Sequence, residues 1–330
     1  MYDIPVVLFT FRRLDTVKLI LDKLKEIKPK TFYVFCDAAR EGREDEARKV
    51  KEVRDFLDNA VTWDCDFHRE YAKENLSCSP NIMRGFNRVL SIHPYAIFLE
   101  DDAVPTGEFF EYMKTLLIQY ENNDRIQYIG GFNGIGDNSV IKTGYTFGSF
   151  VPMSGAIGIW ADRWNNADFT GRSWPGLSRD KSFRNKFFSG EFYRRSAKEF
   201  SESYNRGGGE WDIMLHLDML SKDRLAITPK GNLVRSYGYE EGAFHVQASK
   251  TAKRLIKYMD YTKEDFVFPM AEPEAVAPNK AYDRERQRIF LSVNGNYAER
   301  HIHYAYIGLK DFCYKHMPKK LWNFFKKLLH

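Results

Sequence analysis

The sequence predicts an α/β fold in which a mixed β-sheet is flanked by helices. The chain has 330 residues, 43% of them hydrophobic, which is enough to bury the core of one large domain. Over residues 1–130, short apolar runs alternate with longer segments that carry an apolar residue every three or four positions, as in βα repeats. The run at residues 95–99 has no polar face, which is typical of a parallel strand covered by helices on both sides.

The individual elements are predicted from apolar runs and from residues that favour helix starts. The first helix is predicted to begin with Asp15 as its cap, and another with Ser79 as cap and Pro80 as first helical residue. Later helices are predicted to begin at Thr106 and Glu210. Strands are predicted at residues 4–11, 31–36, 95–99, 126–129, 156–160 and 225–228.

Charge and cysteine content limit the class of protein. The 50 basic and 45 acidic residues give a formal net charge of +5, so the surface carries both signs, unlike that of a dedicated nucleic-acid binder. Four cysteines are scattered without a Cys-x-x-Cys pair, which favours free thiols in a reducing compartment. The start lacks the pattern of a signal peptide, and no stretch approaches the ~18 apolar residues of a membrane span. We therefore expect a cytoplasmic protein with no nucleic-acid partner.

Three adjacent carboxylates follow the most apolar predicted strand. Glu100, Asp101 and Asp102 stand at its carboxyl end, directly before a helix. Ligands of open α/β sheets bind at this edge. The three charges repel one another, and a divalent cation held with a diphosphate would turn that repulsion into coordination; Mg²⁺ and Mn²⁺ both suit oxygen ligands. The alternative is a solvated acidic turn, favoured by the dipole of the following helix.

Two further charged residues are predicted to open into the same crevice. Arg12 follows the first strand and Asp37 follows the second. Asp37 can accept a hydrogen bond from an N–H of a nucleotide base, and Arg12 can donate to a base carbonyl or a phosphate. Taken alone, each is also explained as an ordinary charged loop residue.

A second acidic group begins a predicted helix after three consecutive glycines. Glu210, Trp211 and Asp212 occupy its first turn. A helix N-terminus favours the ionised carboxylate, so Asp212 can accept a proton from a sugar hydroxyl. Trp211 offers a flat apolar face for stacking on a sugar ring. In the alternative interpretation Trp211 belongs to the core, and both acids only complement the helix dipole.

His245 follows the last predicted sheet element and is a candidate phosphate contact or metal ligand, although a lone histidine is more often structural. With His216 and Asp218 it could instead form a non-haem iron site. That arrangement is disfavoured, because residues two apart on a helix point about 200° apart, whereas such a site needs converging ligands.

The order of the motifs carries a family resemblance. In this sequence they are FRRLDTVKLILDKL, CDAAREG, SPNIMRGFNRVL, FLEDDAVPTGEFFEYM, IGGFNGIG, FVPMSGAIGIW, EWDIML and GYEEGAFH. This order resembles the GT-A glycosyltransferases, and within them it is similar to the N-acetylglucosaminyltransferase I group. The resemblance covers roughly residues 4–246, and its most specific part is the acidic block followed by a phenylalanine-rich helix.

The resemblance implies a role for each matching residue. The nucleotide-sugar-binding set would be Arg12, Asp37, Arg84, Glu100, Asp101, Glu210 and Trp211. Arg12 and Asp37 would hold the nucleotide base, and Trp211 would form a wall of the donor and acceptor sites. Asp102 would ligate a Mn²⁺ or Mg²⁺ ion bridging the diphosphate, with His245 as a further ligand, and Asp212 would be the general base.

The resemblance also suggests a division of the chain. Residues 1–246 would form a GT-A (Rossmann-like) catalytic domain, with a nucleotide-binding half at 1–130 and an acceptor-binding half at 131–246. Residues 247–330 would form a linker, including the proline-rich segment 268–280, and a C-terminal helical, amphipathic extension. The chain departs from the group after about residue 247 and shows no membrane-spanning anchor, which leaves the donor sugar and the acceptor open.

The C-terminal residues 318–330 place aromatic and aliphatic side chains at helical spacing on one face and four lysines on the other. A cationic helix of this kind suits an anionic membrane surface, which would place the protein peripherally at the inner face of the cell membrane. The same apolar face could instead dock on the protein's own core or on a second subunit.

These features predict an inverting transferase. It would move a sugar from a nucleotide diphosphate sugar, by resemblance a UDP-sugar, to a hydroxyl of a glycan or lipid-linked glycan acceptor. Inversion is favoured because one carboxylate base is present without a second positioned nucleophile. A sugar nucleotidyltransferase is an alternative, but neither GxxxxGK nor GxGxxG occurs near the first strand. A second alternative is a peripheral membrane-binding or assembly module without catalysis.

Overall fold

The computed structural model describes residues 1–135, 138–153, 155–238, 254–261, 266–293 and 295. The strands are β1 Val6–Thr10, β2 Thr31–Cys36, β3 Asp66–Tyr71, β4 Tyr95–Glu100, β5 Ala103–Pro105, β6 Ile126–Gly130, β7 Tyr145–Gly148, β8 Ala156–Trp160, β9 Leu225–Pro229 and β10 Val234–Ser236. The helices are α1 Leu14–Ile27, α2 Glu44–Ala60, α3 Cys78–Leu90, α4 Gly107–Gln119, α5 Ala161–Asn165, α6 Trp174–Leu177, α7 Lys181–Arg184, α8 Gly190–Asn205, α9 Trp211–Ser221 and α10 Lys280–Val293.

Eight strands form one mixed sheet in the order β3-β2-β1-β4-β8-β6-β9-β7. β1 to β4 run parallel, β8 is antiparallel to both β4 and β6, and β7 is antiparallel to β9, which is parallel to β6. The carboxyl ends of β1, β2, β4, β6 and β9 therefore lie at one edge of the sheet. A separate antiparallel pair joins β5 and β10. The predicted mixed, Rossmann-like sheet flanked by helices is confirmed.

The central strands are buried on both faces, which explains their continuous apolar runs. Val6 and Leu8 of β1 point into a core shared with α1, α2 and α4. Val7 and Phe9 alternate with them and point into a second core, shared with α3 and α9. A third, aromatic cluster is built by the helices α6 to α9 and includes Phe150 at its border with the sheet.

All six predicted strands are present, as β1, β2, β4, β6, β8 and β9. β3 escaped prediction because it is an edge strand of mostly polar residues, in which only Phe67 and Tyr71 are aromatic and all six side chains are at least partly exposed. β7 lies at the other edge and is only four residues long. Sequence patterns thus indicated the interior of the sheet better than its margins.

Two predicted helix caps are wrong. The cap position of α1 is held by Arg13, and Asp15 lies within the first turn. The cap position of α3 is held by Ser77, so the helix starts earlier than predicted. The hydroxyl of Ser79 is used in a contact with α9, far away in the sequence, and that contact has a role in the candidate site described below.

α10 lies within the predicted extension 247–330, yet it packs on the sheet. Tyr282 is fully buried, and its hydroxyl donates to Asn133 O at 3.0 Å. Part of the expected extension is therefore integral to the core, and residues 318–330 lie outside the described residues. Among the helices that the structure describes, none has the length and apolar character to cross a membrane.

Candidate functional site

A cavity of about 470 Å³ opens at the carboxyl ends of β1, β2 and β4. It therefore lies where open α/β sheets bind ligands. Its walls come from these three strand ends, from the loop that precedes α3 and from α3 itself. The lining residues are Phe9, Thr10, Phe11, Arg12, Arg13, Asp37, Arg40, Asn75, Ser77, Cys78, Asn81, Ile82, Glu100, Asp101 and Asp102.

The three adjacent carboxylates lie on one wall of this cavity. Glu100 ends β4, and Asp101 and Asp102 form the turn into β5. Asp101 Oδ2 accepts a hydrogen bond from Phe11 N at 2.8 Å, so it ties the end of β1 to the end of β4. Asp102 Oδ2 lies 3.4 Å from Arg13 Nη1. The predicted meeting of the first strand end with the acidic block is present in the structure.

The acids strongly influence one another. Desolvation first, and the charge of Asp102 second, raise the pKa of Glu100 to about 8. The same two causes raise the pKa of Asp101 to about 7, although Arg13 and the bond from Phe11 oppose the shift. For both acids burial is the larger cause, and repulsion between neighbouring carboxylates adds to it. A bound cation would lower both pKa values, because it stabilises the ionised carboxylates.

Two arginines are fixed at the cavity rim by one buried acid that sequence reasoning missed. Glu46, on α2, is 4% exposed. Its Oε1 lies 3.1 Å from Arg12 Nη1, and its Oε2 accepts from Arg40 Nε at 2.9 Å. The hydrogen bond from Arg40 is the main cause that lowers the pKa of Glu46. A signal was available, because Glu46 stands on the apolar face of α2, one turn before Val50.

Asp37 lines the cavity, but protein donors already occupy its carboxylate. Oδ1 accepts from Ala38 N and Leu76 N, both at 2.9 Å, and Oδ2 accepts from Asn75 Nδ2 at 3.2 Å. Asp37 thus ties the end of β2 to the loop that leads into α3. The expected bond to a base would have to use a remaining lone pair of Oδ2.

The start of α9 is held beside the start of α3. Ser79 Oγ donates to Gly209 O and accepts from Trp211 N at 3.1 Å, joining residues about 130 positions apart. Asp212, in the first turn of α9, has an exposed side chain, and desolvation by the neighbouring protein, followed by the charge of Glu210, raises its pKa above the ordinary value.

The charge of Asp212 acts on the acidic wall. Its charge contributes to the raised pKa of Glu100. The pKa of the Cys78 thiol rises to about 12, first through desolvation and then through the charges of Glu100 and Asp212. Cys78 lines the cavity, so the charges of Asp212 and of the acidic block both act on this part of the cavity.

Trp211 does not offer an open face for a sugar ring, which corrects that expectation. The residue is 6% exposed, and its ring packs against Phe86 and Trp164 in the core between α3 and α9. Glu210 is also engaged, since it accepts from Ser203 Oγ and pairs with Arg206. Its burial acts to raise its pKa, but these two contacts hold the pKa below the ordinary value. Both residues position α9 and leave the open surface to Asp212.

Arg84 is not part of the cavity, contrary to expectation. Its Nη2 donates to Glu70 O at 3.0 Å and to Asn81 Oδ1 at 3.1 Å, and its guanidinium lies over the ring of Phe35. Arg84 faces the β3 side of α3 and braces that helix against the sheet.

His216 and Asp218, two of the three residues weighed for an iron site, bond to separate parts of the described structure. His216 Nε2 lies 2.9 Å from Ser149 O. Asp218 accepts from Asp168 N and pairs with Lys222. His245 lies outside the described residues, so its predicted role as a metal or phosphate contact stays a prediction.

Two glycines allow the chain to pass close to the acidic block. A Cβ at Gly238 would lie 2.6 Å from Asp102 Oδ2, and a Cβ at Gly155 would lie 3.3 Å from the Cβ of Glu100. Gly155 also has a φ of +65°, which glycine adopts without strain. Gly155 O accepts from Glu100 N at 2.6 Å. The backbone at these two glycines thus packs directly against the carboxylate residues.

The acidic wall has the chemistry for a hard cation but offers few ligands. Within the described ranges, no three His, Cys, Asp or Glu side chains are arranged to hold a metal ion by themselves. Mg²⁺ and Mn²⁺ are commonly held by one or two carboxylates together with substrate phosphates and water. Asp102 is partly exposed, borders the cavity and offers carboxylate oxygens as ligands, so it fits metal binding shared with substrate phosphates.

Comparison with known proteins adds little. No protein-family model and no curated protein matches the chain. One solved structure with a similar arrangement is UDP-glucose pyrophosphorylase complexed with UDP-glucose; it is 10% identical, the alignment covers 68% of this chain and 90% of that chain, and the TM-score is 0.29. A similarity at that level carries no argument about activity. The fold class rests on the strand order of this chain.

Proposed function

We propose that the protein is a metal-dependent glycosyltransferase that uses a nucleotide diphosphate sugar. The observation that carries the proposal is the composition of one cavity at the ligand-binding edge of the sheet, where carboxylates from the end of β4 meet arginines from the end of β1. A carboxylate base candidate on α9, Asp212, contributes its charge to the raised pKa of Glu100 on that wall. A nucleotide sugar presents an anionic diphosphate beside a neutral sugar. This cavity offers complementary groups for each part.

The arginines would bind the donor. Arg12 and Arg40 are held at the rim by Glu46, so they need little reorganisation to donate to a base carbonyl or a phosphate. Arg13, next to Asp102, would contact the diphosphate. Glu100 and Asp101 would accept hydrogen bonds from the hydroxyls of ribose and sugar.

Asp102 would hold the metal ion together with phosphate oxygens of the donor. Bound there, Mn²⁺ or Mg²⁺ supplies positive charge where the leaving diphosphate becomes more negative. The residues around Asp102 set its position: Tyr237 N donates to Asp102 O at 2.7 Å, and Gly238 packs on its carboxylate. His245 is proposed as a further ligand.

Asp212 would be the general base. It removes the proton from an acceptor hydroxyl while that oxygen forms a bond to the anomeric carbon, and the bond from that carbon to the diphosphate oxygen breaks. A raised pKa makes Asp212 a better proton acceptor than an ordinary carboxylate. One displacement with one base inverts the configuration at the anomeric carbon.

The nature of the substrates is inferred from chemistry and from the family resemblance. The resemblance to the N-acetylglucosaminyltransferase I group favours a UDP-sugar as donor. We propose a glycan or lipid-linked glycan as acceptor. Contact of residues 318–330 with an anionic membrane surface would bring a cytoplasmic enzyme to lipid-linked acceptors at the inner face of the cell membrane.

Donor turnover tests the proposal directly. The parent should release nucleoside diphosphate from at least one sugar in a panel of UDP-, GDP- and TDP-sugars, only with Mn²⁺ or Mg²⁺. Asp212→Asn should lower the rate on the order of 10²- to 10⁴-fold, because it removes the proton acceptor. Asp22→Asn, at an exposed aspartate on α1 whose partner Lys25 is also exposed, is the matched control. Release of pyrophosphate when sugar 1-phosphates and UTP are supplied would instead support a nucleotidyltransferase.

A further inference from the structure

A second cavity of about 360 Å³ lies at the opposite edge of the sheet. Arg125 directly precedes β6 and Arg224 directly precedes β9, so both stand at the amino ends of their strands. The carboxyl ends of these strands lie at the sheet edge that carries Glu100, Asp101 and Asp102, which we call the acidic side. The cavity is therefore separate from the one described above. Its lining residues are Arg125, Ser149, Asn185, Lys186, Phe188, Leu220, Asp223, Arg224, Leu225, Pro278, Lys280 and Asp283.

Four cations from separate segments converge on this cavity. Arg125 and Arg224 are neighbours because β6 and β9 pair with Ile126 opposite Leu225, and Leu225 N donates to Arg125 O at 2.8 Å. Lys186 follows α7, and Lys280 begins α10. Bringing like charges together costs free energy unless an anion compensates them.

Protein carboxylates compensate only part of this charge. Asp223 pairs with Lys186, whose Nζ also donates to Leu220 O at 2.7 Å. Asp283 points its carboxylate at Ser149 N and Phe150 N, at 2.9 and 3.2 Å. Burial raises its pKa to about 7, and the two backbone N–H groups already occupy its carboxylate.

Among the residues that the structure describes, the other cations have neutral partners or none. Arg224 Nη1 donates to the amide oxygen of Gln127 at 2.9 Å. Within the described part of the chain, the side chains of Arg125 and Lys280 make no ion pair or hydrogen bond. Both are exposed at the cavity mouth.

We propose that this cavity binds a small anionic ligand that carries phosphate or carboxylate groups. Its volume is in the range of small-molecule sites, and apolar walls from Phe188, Leu220 and Pro278 face the cations. A ligand with an anionic end and a less polar body fits this combination. The assignment rests on the charges and shape of this cavity and is independent of the function proposed for the acidic side.

The test uses the full-length chain without divalent metal and titrates inorganic pyrophosphate and citrate by calorimetry at constant ionic strength. The proposal predicts saturable binding of at least one of the two anions. Arg125→Ala combined with Lys280→Ala should weaken that binding at least tenfold, as expected when charge-assisted contacts are lost. Both side chains are exposed, so the fold should be retained. Lys181→Ala, an exposed lysine on α7 away from the cavity, is the control and should bind like the parent.

The two probes and one further variant separate the outcomes. Preference for pyrophosphate identifies a phosphate-bearing ligand, and preference for citrate a carboxylate-bearing one. Arg13→Ala, on the acidic side, should leave this binding unchanged. The proposal is overturned by absence of saturable binding, by equal affinity in the Arg125/Lys280 double variant, or by loss of binding in Arg13→Ala.

Discussion

At the cavity rim, Glu46 holds Arg12 and Arg40 at once although it is almost completely buried. A buried acid costs desolvation free energy and persists when cations compensate it. Here the compensating cations are also cavity residues, so the same contacts that stabilise Glu46 orient the groups available to a ligand. The site therefore depends on residues such as Glu46, which orient the cavity residues, as much as on the groups that would touch the donor.

Glu46→Gln should weaken metal-dependent UDP binding by roughly tenfold, because Arg12 and Arg40 lose the charge that orients them. The side-chain shape is kept, so only a modest loss of stability is expected. Calorimetric titration with UDP and Mn²⁺ measures the effect. Glu52→Gln, which removes an exposed ion pair with Arg48 on the same helix, serves as control. Equal UDP affinity in parent and Glu46→Gln would contradict the role assigned to Glu46.

Gly238→Ala should disturb Asp102 specifically, because the new Cβ would lie 2.6 Å from its Oδ2. The expected result is a weaker Mn²⁺-dependent affinity for UDP with a loss of about 1 kcal/mol or less in the free energy of unfolding. Gly176→Ala, where the added Cβ meets open space, is the matched control. If both variants bound UDP alike, the packing of Gly238 on Asp102 would have no functional importance.

At the element scale, the site requires α3 and α9 to start side by side. The hydroxyl of Ser79 makes this contact by bonding Gly209 O and Trp211 N. The aromatic stack of Phe86, Trp164 and Trp211 fills the space between the helices. Asp212 gains its position from these contacts, since its own side chain remains exposed.

Ser79→Ala should lower the free energy of unfolding by about 1 kcal/mol, the usual effect of losing such a hydrogen bond. It should also reduce donor turnover more than UDP affinity, because it loosens the base and leaves the acidic wall intact. Ser91→Ala removes a hydroxyl at the other end of α3 and is the control. Turnover equal to that of the parent would show that Ser79 does not position Asp212.

α10 makes stability depend on pH through Asp283. Burial raises the pKa of this carboxyl to about 7, above the value of about 3.9 for an unfolded chain. The folded state therefore binds more protons, and the contribution of Asp283 to stability falls as pH rises from about 4 to about 7. Asp283→Asn should flatten this decline and gain stability relative to the parent at high pH. Urea unfolding near pH 5 and pH 8 measures the free energy of unfolding of parent and variant, and Asp124→Asn, at an exposed aspartate, is the control.

At the scale of the whole molecule, burial explains what the sequence could predict. The central strands are apolar on both faces, and the acidic block stands out because it interrupts such a strand at its end. β3 and β7 were missed because β3 is mostly polar and partly exposed, like a loop, and β7 is only four residues long. Ser79 was misassigned because its partners lie about 130 residues away.

The candidate site was predicted in part, for the same reason. Strand polarity alone brings Arg12, Asp37 and the acidic block to one edge of the sheet. The role of Trp211 could not be predicted, since one aromatic residue fits a core and a sugar platform equally well, and only its packing on Phe86 decides. Arg84 lies on the correct helix, but its side chain points to β3.

The cavity lined by Glu100, Asp101 and Asp102 is proposed to bind a nucleotide diphosphate together with a divalent cation. The most direct test measures the melting temperature of the parent and of Asp102→Asn with UDP, GDP, CMP and TDP, each with and without Mn²⁺. We expect a metal-dependent rise in melting temperature for one nucleotide, UDP by resemblance, and no such rise in Asp102→Asn. No rise with any nucleotide, or an equal rise in the variant, would contradict it.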